Sequence, residues 1–359
     1  MPRPASPIFS ISTLLRLLAC PLSALYSSVM NIRNWLYDRK IFWAQDAGVT
    51  VVSVGNLTLG GTGKTPIVCE LLRWAVENHL SPAVISRGYK GEFETKIARV
   101  KPGANPAEYG DEPTMVANLF SGVPIYVGNK RMAVTRELLN AHPDVRLIFA
   151  DDAFQHRRLH RDIDIVIIDC TEPLKNYSVI PAGRGRENIK SLRRASCIIL
   201  NKVNLVSPEQ KQNVIEFIDE ILDGRSTPVI ESEYHVRRLI RLDDERAEEL
   251  HEFEPVTLVS GIGNPAAFEA LVAKNLDVKK HFKFRDHHRY TRGEFEKILS
   301  ESRDRKVKRV VTTEKDAVKL REFLKRDRQD GDFFWKSELR PKLSLRVKWL
   351  YEKILERVH

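Results

Sequence analysis

Twelve consecutive residues, Gly55-Asn56-Leu57-Thr58-Leu59-Gly60-Gly61-Thr62-Gly63-Lys64-Thr65-Pro66, follow the apolar run Val49–Val54 and open a stretch of helical periodicity, Pro66–His79. Glycines at this spacing let backbone N–H groups converge on phosphate oxygens, and the start of a helix adds positive potential. Lys64 is placed to reach β- and γ-phosphates and the Thr65 hydroxyl suits a Mg²⁺ ligand. The candidate phosphate-binding residues are therefore Thr58, Gly60, Gly61, Thr62, Gly63, Lys64 and Thr65, with Thr58 standing where the strict pattern has glycine.

A phosphate-binding loop of this kind needs a carboxylate at the end of a neighbouring strand to hold Mg²⁺. Leu147-Ile148-Phe149-Ala150-Asp151-Asp152 offers two, and Asp151 is the first choice. Asp111-Glu112 in Tyr109-Gly110-Asp111-Glu112-Pro113 sits at a loop-to-helix junction, where the aspartate, taken alone, reads first as a helix cap and second as chemistry. Asp286-His287-His288 is too tightly spaced for a zinc pair one helical turn apart, and leaves a basic role for one histidine open. Arginines cluster at Gln155-His156-Arg157-Arg158, Gly183-Arg184-Gly185-Arg186 and Arg193-Arg194, without the interleaved aromatics of a nucleic-acid surface. Asn201-Lys202-Val203-Asn204 echoes a guanine-reading motif, but Asn204 lacks the carboxylate that accepts from guanine.

These residues must be positioned by a framework, and the rest of the chain describes one. Short apolar runs at Ala83–Ser86, Pro124–Val127, Arg146–Ala150, Ile163–Ile168, Cys197–Leu200, Pro228–Glu231, Val256–Ser260 and Arg309–Thr312 alternate with helical stretches such as Arg131–Ala141 and Ser207–Leu222. That alternation is the signature of α/β architecture with a parallel sheet and helical crossovers. A Pro-, Gly- and Arg-rich interval predicts a connection between two lobes. The expected organisation is an N-terminal helical segment, 1–48; a P-loop NTPase-type parallel-sheet domain, 49–170; a linker, 171–196; a smaller α/β (Rossmann-like) domain, 197–338; and a C-terminal helix, 339–359, packing back on the first domain.

Composition agrees with a folded, cytoplasmic-type protein of two domains. The 359 residues are 42% hydrophobic and 30% charged, and the four cysteines form neither a disulfide framework nor a zinc site. A formal net charge of +10 favours anionic partners. Ile8–Met30 is apolar but interrupted by Arg16 and Pro21, a poor membrane span. From Leu22, apolar residues at helical spacing accompany Arg33, Arg39, Lys40, Trp35 and Trp43, a pattern that fits an amphipathic helix on a membrane surface and equally one docked on its own domain.

Taken together, Gly60-Gly61-Thr62-Gly63-Lys64-Thr65-Pro66, Ser86-Arg87-Gly88-Tyr89, Gly110-Asp111-Glu112-Pro113, Asp151-Asp152-Ala153-Phe154-Gln155-His156-Arg157, Pro181-x-Gly183-x-x-Arg186-Glu187, Asp286-His287-His288 and Thr313-Glu314-Lys315-Asp316 resemble, in order, the tetraacyldisaccharide 4′-kinase (lipid A 4′-kinase) family. The resemblance spans nearly the whole chain. It implies a kinase using ATP and Mg²⁺, held peripherally at the cytoplasmic face of the inner membrane, with a glycolipid acceptor and no obligate protein or nucleic-acid partner. It further implies Asp111 as catalytic aspartate paired with His287, Lys64 as catalytic and phosphate-binding lysine, Thr65, Glu112 and Asp151 around Mg²⁺, and Arg87, Gln155 and His156 lining the cleft. On that reading the Asp111–His287 pair forms across two lobes, and closure gates it. A nucleotide-hydrolysing switch or metallochaperone is the alternative that shares the P-loop.

Overall fold

The computed structural model describes residues 11–89, 91–250, 253–324 and 332–358; residues 1–10 of the expected N-terminal segment lie outside them. Among the described residues, thirteen strands join one sheet in the order β11-β10-β12-β13-β8-β7-β6-β1-β5-β2-β4-β3, with β9 paired to β8. The strands are β1 Thr50–Asn56, β2 Pro82–Ser86, β3 Ala98–Arg99, β4 Ile125–Val127, β5 Leu147–Asp151, β6 Ile163–Asp169, β7 Cys197–Asn201, β8 Val229–Arg241, β9 Ala247–Glu248, β10 Pro255–Ser260, β11 Asp277–Lys283, β12 Arg309–Thr313 and β13 Phe334–Leu343. The helices are α1 Ile11–Asp38, α2 Lys64–Glu77, α3 Pro106–Tyr109, α4 Asp111–Leu119, α5 Arg131–Ala141, α6 Pro208–Leu222, α7 Pro265–Val272, α8 Arg292–Asp304, α9 Glu314–Leu324 and α10 Val347–Val358.

The sheet has two parallel halves. In the first, β7, β6, β1, β5, β2 and β4 run parallel, and every residue of β1, β5, β6 and β7 is buried. Near-continuous Val, Ile and Leu runs are what a strand covered by helices on both faces requires. On one face α2 supplies Ile67, Leu71 and Leu72 and α10 supplies Leu350 and Ile354, while Trp74 stacks on Tyr351 at 4.1 Å. On the other, α5 brings Val134 and Leu138 against Val51 and Ile148. In the second half, β11, β10, β12 and β13 run parallel, with α7 packing Phe268 and Leu271 on one side and α8 and α9 packing Phe295, Ile298 and Leu320 on the other.

An antiparallel ribbon of β8 and β13 joins the halves. Residues 197–222, expected in the second domain, extend the first half instead, because β7 pairs with β6 and α6 packs Val214 and Ile218 against Ile198. The helix expected over 339–359 begins at Val347, since Leu339–Leu343 completes β13.

No described helix is long and apolar enough to cross a membrane. Along α1, Leu22, Leu25, Val29, Ile32 and Trp35 are exposed. The opposite face is docked: Ser23 Oγ accepts from Ala182 N at 2.9 Å, Tyr26 donates to Arg186 O at 2.9 Å, and buried Asn34 donates to Glu187 at 2.9 Å. The helix is thus docked on its own chain along one face, which includes Tyr26, and carries an exposed apolar stripe on the other.

Candidate active site

The ribbon explains why chemistry gathers at one place. Each half is parallel while β8 and β13 are antiparallel, so the carboxyl ends of the two strand sets point at each other. Asn201, ending β7, pairs with Ser232, whereas Thr313, ending β12, pairs with Ser337, itself opposite Leu239. The seven-residue step from Ser232 to Leu239 spans about 23 Å, and loops from both halves converge over it. Ligands of open α/β sheets bind beyond the carboxyl ends of strands, and here two such edges share one cleft. A cavity over the ribbon is lined by Gly61–Thr65, Glu112, Asp286 and Lys315, with Tyr234, Phe268 and Leu339 as apolar walls.

The P-loop begins at the end of β1 and turns into α2 through Gly63, whose φ of 83° only glycine adopts freely. No side chain caps α2, so its first N–H groups face the cavity as an anion site. Asn201 donates to Thr62 O at 2.8 Å and Tyr234 to Gly63 O at 3.2 Å, holding the loop from below. Opposite it, the loop after β10 comes so close that a Cβ on Gly263 would stand 2.9 Å from Gly61 N.

Lys64 Nζ donates to Asn56 Oδ1 at 3.1 Å and lies 3.5 Å from Asp152. Asp152 also accepts from Arg186 Nη1 at 2.8 and 2.9 Å. Burial raises the Asp152 carboxyl, but Lys64 and Arg186 outweigh it and hold it well below the usual carboxylate range. Asp151 differs. It is 3% exposed, its Oδ1 has no hydrogen-bond partner, and burial reinforced by Glu112 pushes its carboxyl up to about 7. A buried, unsatisfied carboxylate beside the P-loop fits a bound cation, which supplies the missing partner. Thr65 and Glu112 line the cavity near Asp151, and among the described residues no group of three or more His, Cys, Asp or Glu could by itself hold a metal ion.

At the other end, Gly110, at φ 91°, caps α4 and makes Asp111 its first residue. Asp111 is therefore not the cap. Its Oδ2 lies 3.1 Å from His287 Nδ1 and 2.8 Å from Lys319 Nζ. Lys315 Nζ lies 3.3 Å from His287 Nε2. An ammonium only donates, so Nε2 accepts and the ring proton on Nδ1 is donated to Asp111. Burial raises the Asp111 carboxyl, and the His287 hydrogen bond with Lys319 and Lys315 overcomes it, leaving it below its ordinary value. His288 turns away to Glu294 at 3.1 Å. Asp111 and His287 line a second cavity with Tyr89, Arg289 and Lys319, next to the first.

Three residues expected at the cleft, Arg87, Gln155 and His156, do not line either cavity. Arg87 is exposed beyond β2, its guanidinium 5.9 Å from the Tyr89 ring. Gln155 Nε2 donates to Asn56 O at 2.9 Å and Glu187 at 3.1 Å, bracing the end of β1. His156 is half-buried; desolvation, with Arg131, Arg161, Arg33 and Arg158 nearby, pushes it down to about 4, and it stays neutral at pH 7. Sequence reasoning missed Asp152, Asn201, Arg186 and Lys319 as organisers of the site. The second residue of the Asp-Asp pair and the asparagine of the guanine-like motif were the available signals for the first two.

A family model described as tetraacyldisaccharide-1-P 4′-kinase matches residues 15–359. The tetraacyldisaccharide 4′-kinase of Bdellovibrio bacteriovorus is 36% identical over 342 residues, covering 94% of this chain and 97% of that protein. The tetraacyldisaccharide 4′-kinase of Syntrophus aciditrophicus is 35% identical over 309 residues, 83% of this chain and 82% of the relative. A crystal structure of LpxK from Aquifex aeolicus in complex with ATP matches 96% of this chain and all of that one, with a TM-score of 0.72 at 26% identity. A P-loop in this setting, a carboxylate–histidine pair across the cleft and agreement over the length of the chain lead to one assignment: the chain belongs to the tetraacyldisaccharide-1-P 4′-kinase family.

Proposed function

We propose that the protein transfers the γ-phosphoryl group of ATP to the 4′-hydroxyl of a tetraacylated glucosamine disaccharide 1-phosphate, a step of lipid A synthesis. The observation that carries this reading is the Asp111–His287 pair, formed by the two halves of the sheet beside the P-loop cavity. Phosphoryl transfer asks little covalent chemistry of a protein and much positioning and charge neutralisation. The uncapped α2 N-terminus and Lys64 take the β- and γ-phosphates. Thr65, Asp151 and Glu112 would hold Mg²⁺, which would neutralise phosphate charge when bound. Asp111 accepts the proton of the 4′-hydroxyl on Oδ1, since His287 and Lys319 engage Oδ2, and the His287 N–H fixes the carboxylate's orientation. Tyr89, which meets His287 edge to face at 5.5 Å, and Arg289 border the space for the acceptor sugar.

The exposed apolar stripe of α1, continued by Ile41, Phe42 and Trp43 and flanked by Arg39 and Lys40, fits an anionic bilayer surface, which we assign to the cytoplasmic face of the inner membrane. Its docked face connects the stripe to the cleft, because Glu187 binds both Asn34 and the Gln155 that braces β1.

Turnover of ATP measured with and without purified tetraacyldisaccharide 1-phosphate tests the reading. ADP formation that requires the acceptor and yields the 4′-phosphate is expected. ATP or GTP hydrolysis indifferent to the acceptor would replace the kinase with a nucleotide switch.

A further inference from the structure

Lys315 opens α9 on the side of the cleft facing the P-loop, with only 14% of its side chain exposed. Its Nζ has three neighbours: Asp286 Oδ1 at 3.1 Å, His287 Nε2 at 3.3 Å and Glu112 Oε1 at 3.6 Å. Glu112 and Asp286 line the nucleotide cavity together with Lys64, Thr65 and Lys315 itself. The residues adjacent to them in sequence, Asp111 and His287, line the acceptor cavity. Lys315 therefore stands at the partition between the two cavities, where a phosphoryl group must cross from donor to acceptor.

Charge favours a second protein cation there. Lys64 is matched by Asp152 at 3.5 Å, and in phosphoryl transfer the charge spreads over three equatorial oxygens that one lysine cannot cover. We propose that Lys315 is a catalytic residue that donates to the equatorial oxygens of the phosphoryl group in flight, a cation supplied by the second half of the sheet opposite the P-loop lysine. This rests on the kinase reading above. The β,γ-bridging oxygen keeps the electron pair of the breaking P–O bond and leaves with ADP. The 4′-oxygen forms the new P–O bond, and its proton passes to Asp111. Lys315 makes and breaks no covalent bond. Its longest contact, to Glu112, is the one a phosphoryl oxygen displaces, while Asp286 and His287 keep the ammonium aimed at the crossing point. A group so held before substrate arrives needs little reorganisation at the moment of transfer.

The test compares wild type, Lys315→Met and Lys315→Arg as full chains, with steady-state kinetics on tetraacyldisaccharide 1-phosphate. It adds equilibrium binding of ADP alone and of ADP with Mg²⁺, aluminium fluoride and acceptor, the fluoride standing in for the transferring phosphoryl. Lys315→Met is expected to lower kcat about 10²–10³-fold, leave KM for ATP within about threefold and bind ADP normally. It should lose the extra affinity that aluminium fluoride confers, and Lys315→Arg should restore part of kcat. If Lys315→Met melts early, Lys315→Gln, which keeps donors without charge, carries the same comparison. A kcat within about threefold of wild type, or equal weakening of ADP and of the fluoride complex, overturns the role of Lys315 while leaving the kinase intact. Absence of acceptor-dependent turnover in wild type overturns the kinase reading and this inference with it.

Discussion

Asp151, ending β5 beside the P-loop lysine, and Asp111, opening α4, are buried carboxylates, 3% and 9% exposed, yet their proton affinities move in opposite directions. Desolvation pushes both up. At the acceptor end the chain supplies partners, His287 and Lys319 on one oxygen, and the charged form prevails. At the phosphate end one oxygen of Asp151 has no partner within the protein, and the neighbouring Glu112 adds repulsion. The first carboxylate finds its compensation within the protein; the second leaves one oxygen without it. Burial alone does not reveal a role, whereas the source of compensation does.

The strongest challenge to that contrast is at the acceptor end. Asp111→Asn should lower turnover about 10³-fold and His287→Ala about 10²-fold, with the double variant close to Asp111→Asn alone, because a shared proton-transfer task is non-additive. Losses that multiply would separate the two residues and move Asp111 out of the base role. At the phosphate end, Asp151→Asn should cost about 10²-fold in turnover and shift the Mg²⁺ dependence to higher concentration, whereas Asp111→Asn leaves the half-saturating Mg²⁺ in place. An unchanged Mg²⁺ curve for Asp151→Asn would remove it from the metal shell.

Stability sharpens the comparison by sign. Asp151, raised from 3.8 to about 7, binds its proton more tightly folded than unfolded, so the protein without metal loses stability through this group as pH rises from about 4 to about 7. Asp151→Asn should then be more stable than wild type above pH 7, by about 1–3 kcal/mol, and lose that advantage below about pH 4. Asp111 is lowered in the folded state, so its contribution is present above its unfolded value and disappears as pH falls through the folded one. Asp111→Asn should accordingly be less stable than wild type at neutral pH. Denaturant midpoints in chelator from pH 4 to 8 read both, and equal signs would break the contrast. The smallest effect lies away from the cleft. Leu25→Ser with Ile32→Ser should reduce turnover on bilayer-embedded acceptor about threefold to tenfold and leave detergent-dispersed acceptor and both carboxylates unaffected. Equal loss in the two presentations would leave α1 with its docked face alone.

Legibility in the sequence followed how local each task is. The P-loop was readable because glycines, Lys64 and Thr65 do their work within one turn of chain, and Asp151 because a strand end fixes where it sits. The Asp111–His287 pairing is separated by 176 positions and came only through family resemblance, since a loop-to-helix aspartate looks like a cap. The ribbon was hidden for a different reason. β13 carries Lys336, Glu338, Arg340, Pro341 and Lys342 among its apolar residues, and only the cross-strand pairing with β8, also rich in charge, makes it a strand. Gln155 and Arg186 were visible as polar residues near a P-loop, but their hydrogen bonds to Asn56 and Asp152 are long-range and leave no periodic trace.

The return of α10 to the first half has a consequence for how the protein is made. Leu350 and Ile354 are fully buried against the strand that carries the P-loop, and Thr50 donates to Arg357 O at 2.8 Å. Domains usually fold as they leave the ribosome, amino-terminal part first. Here the amino-terminal half cannot finish its core until Leu350 and Ile354 have been made, so it waits with an uncovered apolar face while the second half is translated. A messenger that stops short of Leu350 should therefore yield a chain whose fault appears three hundred residues upstream, as aggregation or proteolysis of the half that was complete in sequence.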